Sequence, residues 1–154
     1  VEYLLAGSGT EEYLNLLKSL PGWNKVNFVG RIPHDDIKEV IYSKAVAGMA
    51  LNYSNQAKGI GTLGNTKLFE YMEAGLPVIC TNYTLWQEII DEYKCGICLN
   101  PDNVNELKTA ILFIINNKDI AIKMGQGGRR AIEDKFNWNI EEQKLLELYK
   151  GLIN

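Results

Sequence analysis

The sequence is poor in the residues that build metal centres and disulfide frameworks. Its 154 residues include one histidine, His34, and three cysteines, Cys80, Cys95 and Cys98. An odd, low cysteine count fits a reducing cytoplasm better than a disulfide framework. His34 sits beside Asp35 and Asp36. A metal site from those three is conceivable, but one histidine at a helix start reads as a surface cap, so no metal is expected. There is no excess of positive charge: the formal net charge is −3 and the pI about 5.2. That balance argues against a nucleic-acid partner, which would show as a basic face. No apolar run approaches the roughly 20 residues that span a bilayer, and no secretory signal pattern is visible. The expected location is therefore cytoplasmic. No Ser/His/Asp or Cys/His set, internal repeat, low-complexity tract or linker is recognisable. The first residue is Val1, and Val1 to Ala6 already reads as a core strand, so an upstream portion is expected to precede it.

What is present is a composition of ordinary globular type, 46% apolar and 23% charged, in which the apolar period switches between strand and helix. Strands are predicted over 1–6, 26–29, 46–51, 77–80 and 96–99. Helices are predicted from Thr10 as cap through Leu20, from Asp35 or Asp36 through Ile41, over 65–74, over 85–90, and then over 104–116, 120–135 and 139–153. A polar, Gly-rich loop runs from Asn52 to Gly64. Short apolar strands alternating with helices imply a Rossmann-like α/β fold: a parallel sheet of about five strands, helices on both faces, and a helical C-terminal tail. The expectation is a single domain over 1–154, with an alternating core over 1–102 and a tail over 103–154. Cys95-Gly-Ile-Cys98 has the spacing of a redox pair, but it overlaps a strand, where an offset of three points side chains to opposite faces. The cysteines therefore read as structural.

Gly59-Ile-Gly-Thr-Leu-Gly64 fits the G-x-G-x-x-G pattern of dinucleotide sites. Its context does not fit. The pattern should follow the first strand at once, and an acidic residue should end the next strand; here that place holds Thr81-Asn-Tyr-Thr84. The loop can still bring backbone amides close to a ligand. A helix starting near Asn65 adds unpaired N–H groups and a partial positive charge, suited to a phosphate. Lys67 could add a full charge.

The segment Asn65-Thr-Lys-Leu-Phe-Glu-Tyr-Met-Glu-Ala-Gly-Leu-Pro-Val-Ile79 resembles the signature K-x-x-E-Y-M-x-A-G-x-P-V-I of group 1 (family 4) glycosyltransferases with the GT-B fold. Other segments agree in order: Leu4-Leu-Ala-Gly-Ser-Gly9, Val26-Asn-Phe-Val-Gly-Arg-Ile-Pro33, Cys95-Gly-Ile-Cys-Leu-Asn-Pro101, and Gly125-Gln-Gly-Gly-Arg129 with Phe136-Asn-Trp138. The resemblance implies the C-terminal, donor-binding half of such an enzyme. That enzyme transfers a sugar from a nucleoside diphosphate sugar, UDP- or GDP-linked, to an acceptor hydroxyl with retention. It implies that Leu63, Gly64, Asn65, Thr66 and Lys67 hold the diphosphate and that Glu70 takes the ribose hydroxyls; a carboxylate can accept two donors from a diol. Arg31, Ile32, Gly7 and Gly9 then belong to the nucleobase region. It also implies that no metal is required.

The match has departures. The commoner family pattern places a second glutamate eight positions before Glu70, and Thr62 stands there. Contact with the donor sugar around Gly61 and Thr62 is then left to the loop backbone. The family's first strand and its N-terminal acceptor domain are absent, so the chain alone is expected to bind nucleotide weakly and to turn over nothing. The acceptor, a glycan or lipid-linked sugar as in cell-surface polysaccharide synthesis, would belong to the missing half; peripheral attachment to the inner membrane face stays open. The last helix carries apolar residues on more than one side, Leu145, Leu146, Leu148, Tyr149, Leu152 and Ile153, and is expected to drive self-association. Two other readings compete: a non-catalytic nucleotide-binding or scaffold domain, and an NAD(P)-binding Rossmann domain.

Overall fold

Among the described residues the short apolar runs become five strands, and every pairing between them is parallel. The computed structural model describes residues 1–52 and 59–153, with the side chain of Ile153 left aside. Residues 53–58, part of the expected loop between Asn52 and Gly64, lie outside the described residues. The chain divides into two compact units, Val1–Ala45 and Val46–Asn154.

In the first unit, strand β1 (Tyr3–Ala6) pairs with β2 (Val26–Gly30). Helix α1 (Glu11–Ser19) joins them. Its start follows the sequence signals: the Thr10 hydroxyl accepts from the Tyr13 N–H, and Glu11 and Glu12 lie in the first turn, where the helix dipole favours negative charge. Val1 to Ala6 was expected as a core strand, yet none of these residues is buried, and Tyr3 is 44% exposed. Among the described residues β1 has one strand neighbour, so its edge and flanks are covered less than a central strand's would be. The helix expected from Asp35 forms instead as a 3-10 turn (His34–Asp36), the four-residue α2 (Ile37–Val40) and a further 3-10 turn (Tyr42–Lys44).

The second unit contains β3 (Gly48–Ala50), β4 (Val78–Thr81) and β5 (Gly96–Leu99), in the order β3-β4-β5. Helices α3 (Thr66–Glu73), α4 (Thr84–Tyr93), α5 (Val104–Asn116), α6 (Lys118–Asp134) and α7 (Trp138–Ile153) complete it. All four residues of the central β4 are buried. Val78 and Cys80 face a cluster with Ala50 of β3 and with Leu68, Met72, Trp86, Ile89, Ile90 and Ala131, supplied by α3, α4 and α6. Ile79 faces the opposite cluster, with Leu99 and with Ala110 and Ile114 of α5. A strand buried on both faces needs no alternation, which is why Val78-Ile-Cys-Thr81 reads as a continuous run. Helices α5 and α6 pack onto this sheet and its layers, so most of the helical tail is part of the core.

Candidate functional site

Helix α3 carries the central motif. Asn65 caps it, its Oδ1 accepting from the Lys67 N–H at 3.1 Å. Leu68 and Met72, four apart, are wholly buried, which commits one face to the core. Lys67 and Glu70, three apart, share another side of the helix; Lys67 is exposed and Glu70 half-buried. The C-terminus closes in a Schellman motif. The Leu76 N–H bonds the Tyr71 carbonyl, the Gly75 N–H bonds the Met72 carbonyl, and Gly75 takes a φ of 72°. Leu76 is buried beyond it. The run Ala74-Gly-Leu-Pro77 thus turns the chain from α3 directly into β4.

The turn before α3 is held from within. The Thr62 hydroxyl accepts from the Gly64 N–H at 3.0 Å. Of the amides that the resemblance assigns to a diphosphate, those of Gly64 and Lys67 are therefore engaged by Thr62 and Asn65, and a phosphate at either must displace that oxygen. Leu63, Gly64, Thr66 and Thr62 are exposed, and Gly61 and Asn65 half-buried. Leu63 to Lys67 and Glu70 thus lie together on one stretch, the exposed turn and first half of α3.

A second segment holds this loop, and its residue pattern alone does not mark it. In the sequence Thr81 to Thr84 stand out only for lacking a carboxylate. In the structure the buried Thr81 hydroxyl both accepts from the Asn52 N–H (2.8 Å) and donates to the Asn52 carbonyl (2.9 Å). The first amides of α4, Thr84 and Leu85, donate to the carbonyls of Gly59 and Ile60, each at 3.0 Å. The Thr84 hydroxyl adds a second bond to Gly59 at 2.9 Å. The Trp86 indole Nε1–H donates to the Thr62 carbonyl at 2.8 Å. Orphan amides at a helix start, which could meet a phosphate, here hold a loop instead. The signal in the sequence was a tryptophan one turn into an apolar helix, since a buried indole N–H needs a partner.

In the first unit, Gly7 and Gly9 follow β1, and Arg31 and Ile32 follow β2. The Gly7 N–H bonds the Gly30 carbonyl at 2.8 Å, so the two loops leave neighbouring strand ends. Both glycines have positive φ, 149° and 72°, which a Cβ would disfavour. Arg31 and Gly9 are exposed, and Ile32 and Gly7 half-buried.

The cysteines pair differently from the sequence expectation. Cys95 precedes β5, so strand alternation does not separate it from Cys98, and both pack against the same cluster. The close pair is Cys80 and Cys98, in register on β4 and β5 with sulfurs 3.3 Å apart. All three thiols are free. The hydrogen bond to Cys98 and burial push the Cys80 thiol far up, and burial pushes Cys95 up to about 12. Thiols held protonated are poor nucleophiles, so the structural reading stands on burial rather than on opposed faces. His34 is exposed at the start of its 3-10 turn. Among the described residues no group of three or more His, Cys, Asp or Glu side chains could hold a metal ion. No helix among them is long and apolar enough to cross a membrane.

Residues 1–131 match the sequence profile of the family described as glycosyl transferases group 1. The chain belongs to the group 1 glycosyltransferases. Among its relatives is a GDP-mannose-dependent alpha-(1-6)-phosphatidylinositol monomannoside mannosyltransferase of Mycobacterium tuberculosis. It is 25% identical over 126 residues, which are 82% of this chain and 32% of that protein. The structure superposes on sucrose-phosphate synthase from Thermosynechococcus elongatus with a TM-score of 0.78 at 25% identity, covering 97% of this chain and 38% of the other. It superposes on HepE of Anabaena, solved in complex with UDP, with a TM-score of 0.75 at 18% identity, covering 98% and 41%. The chain thus spans about a third of the length of the curated relatives it matches. The α/β fold with parallel sheets and a helical tail is that of the GT-B glycosyltransferases, as the motifs implied.

Proposed function

We propose that this chain is the donor-binding part of an enzyme that transfers a sugar from a nucleoside diphosphate sugar to an acceptor hydroxyl. The observation that carries the reading is the family match across residues 1–131, centred on an α3 that presents Lys67 and Glu70 on one side behind an exposed turn. A relative that depends on GDP-mannose and a neighbour solved with UDP both support a nucleotide-linked donor. In this reading Leu63 to Lys67 stabilise the departing diphosphate electrostatically, and Glu70 receives the ribose hydroxyls. A diphosphate seated on the α3 start replaces Thr62 Oγ1 on the Gly64 amide and Asn65 Oδ1 on the Lys67 amide. The assignment of Gly7, Gly9, Arg31 and Ile32 to the base, and of retention to the stereochemistry, rests on the family resemblance. The acceptor, a glycan or lipid-linked sugar, is bound elsewhere than on α3, and this chain by itself binds nucleotide without turnover. No metal enters the reading, because the helix start and Lys67 supply the positive charge.

Isothermal titration of UDP and GDP tests it. Glu70→Ala is expected to weaken the better-binding nucleotide at least about tenfold, the equivalent of ~1.4 kcal/mol. Equal affinity in the two proteins would remove Glu70 from the site. The absence of binding by the unsubstituted chain would remove the donor-binding reading.

A further inference from the structure

We infer that Trp86 is a positioning residue for the diphosphate-binding turn, acting through its bond to the Thr62 carbonyl; this rests on the nucleotide-sugar reading. Trp86 is wholly buried, with its ring set edge-on against Tyr83 at 5.0 Å between centroids. Its Nε1–H reaches out of the core to the backbone of an exposed residue, Thr62, 2.8 Å away. Two residues on, the Gly64 N–H is tied to the hydroxyl of that same Thr62. The turn that orients the Gly64 amide thus hangs from one anchored residue.

The neighbouring contacts act in the same sense. Gly59 and Ile60 are fixed by the first amides of α4. Gly61, at a φ of 81°, lies so close to Tyr83 that a Cβ on it would come within 2.6 Å of the Tyr83 Cβ. The segment from Tyr83 to Trp86 therefore grips the loop from Gly59 to Thr62, and Trp86 is its last and deepest contact. A preorganised donor for a developing charge must be fixed before the ligand arrives. Trp86 supplies that rigidity from a helix that carries none of the assigned ligand contacts. Thr62 thus holds the turn at both its carbonyl and its hydroxyl.

The test uses this chain with Trp86→Phe, which keeps an aromatic ring against Tyr83, and with benzothienylalanine at position 86, which keeps the two-ring shape and removes only the donor. Amide hydrogen exchange is read at Gly64, Thr84 and Leu85. Affinity is read for UDP and GDP and for their parent nucleosides. The expected result in both variants is about tenfold faster exchange at those three amides, unchanged exchange in β3, β4 and β5, about tenfold weaker diphosphate binding, and unchanged nucleoside binding. Equal weakening of nucleotide and nucleoside, or faster exchange throughout the sheet, would show a plain core residue and overturn the inference. Unchanged diphosphate affinity in both variants overturns the role of Trp86 alone. An unsubstituted chain that binds neither UDP nor GDP overturns the nucleotide-sugar reading and the binding role of Trp86 with it.

Discussion

Thr62 and Cys95 show how far residue type speaks for itself. At Thr62 the missing carboxylate was visible in the sequence, but the use of the hydroxyl was not: an i to i+2 bond to Gly64 depends on the turn that other residues hold. At Cys95 the structural role was legible and the geometry was not, because Cys95 lies just before the strand, where alternation does not apply. Its burial has a consequence for pH. A thiol raised from an ordinary value of 9 to about 12 stays protonated in the folded chain after the unfolded chain has ionised. Its contribution is intact below pH 9 and is lost as pH rises from about 9 toward 12; Cys80, pushed up by its bond to Cys98 and by burial, acts in the same direction. Urea midpoints are expected to fall between pH 8 and pH 10.5 more steeply in the native chain than in Cys95→Ala, taken at about those two values. Parallel slopes would place the thiol in contact with water.

Elements with strong end signals formed where the sequence placed them. Helix α1 has its Thr10 cap, α3 its Asn65 cap and Gly75 stop, and α5 its Asn103 cap, whose side chain accepts from the Asn105 and Glu106 amides. Helix α4 was underestimated, since Thr84 and the Asp91-Glu-Tyr93 end lie outside the apolar stripe; the loop carbonyls on its first amides extend it. The glycines of α6 are a clearer case of pattern without visible cause. Gly125-Gln-Gly-Gly128 weakens a helix by propensity, yet it is where α6 approaches other backbone. A Cβ on Gly125 would strike the Gly75 carbonyl, one on Gly127 the Tyr93 carbonyl, and one on Gly128 the Met72 backbone at 3.1 Å. Gly125→Ala is expected to lower stability by about 1–3 kcal/mol despite the better propensity of alanine. Because the blocking atom belongs to the turn that ends α3, nucleotide affinity should fall as well. Chemical denaturation and titration of this variant check both, and an unchanged midpoint would mean that α6 shifts freely over Gly75.

For the whole molecule, α/β character and the parallel sense of the strands followed from the sequence, because period and connection length are local properties. The ordered motifs between Leu4 and Trp138 also pointed to the family whose profile residues 1–131 match. The division at Ala45 and, among the described residues, the grouping of strands into two and three did not follow. Helix α7 was expected to show apolar residues on more than one side. Leu145, Leu146, Leu148, Tyr149 and Leu152 are all exposed; the side chain of Ile153 lies outside the described residues. Leu145, Leu148 and Leu152 recur at the spacing of one helix face, an exposed stripe that favours association. Sedimentation velocity is expected to show concentration-dependent oligomers, reverting toward monomer with Leu148→Lys and Leu152→Lys together. A strictly monomeric native chain would count against this. The sequence by itself determined most of the elements, the caps of α1, α3 and α5, and the family, since these depend on neighbours a few positions apart. Only the tertiary structure decided what holds the turn before α3. Thr62 and Trp86 are 24 residues apart, and the pairing of an exposed carbonyl with a buried indole exists only once β4 has carried α4 back beside that loop.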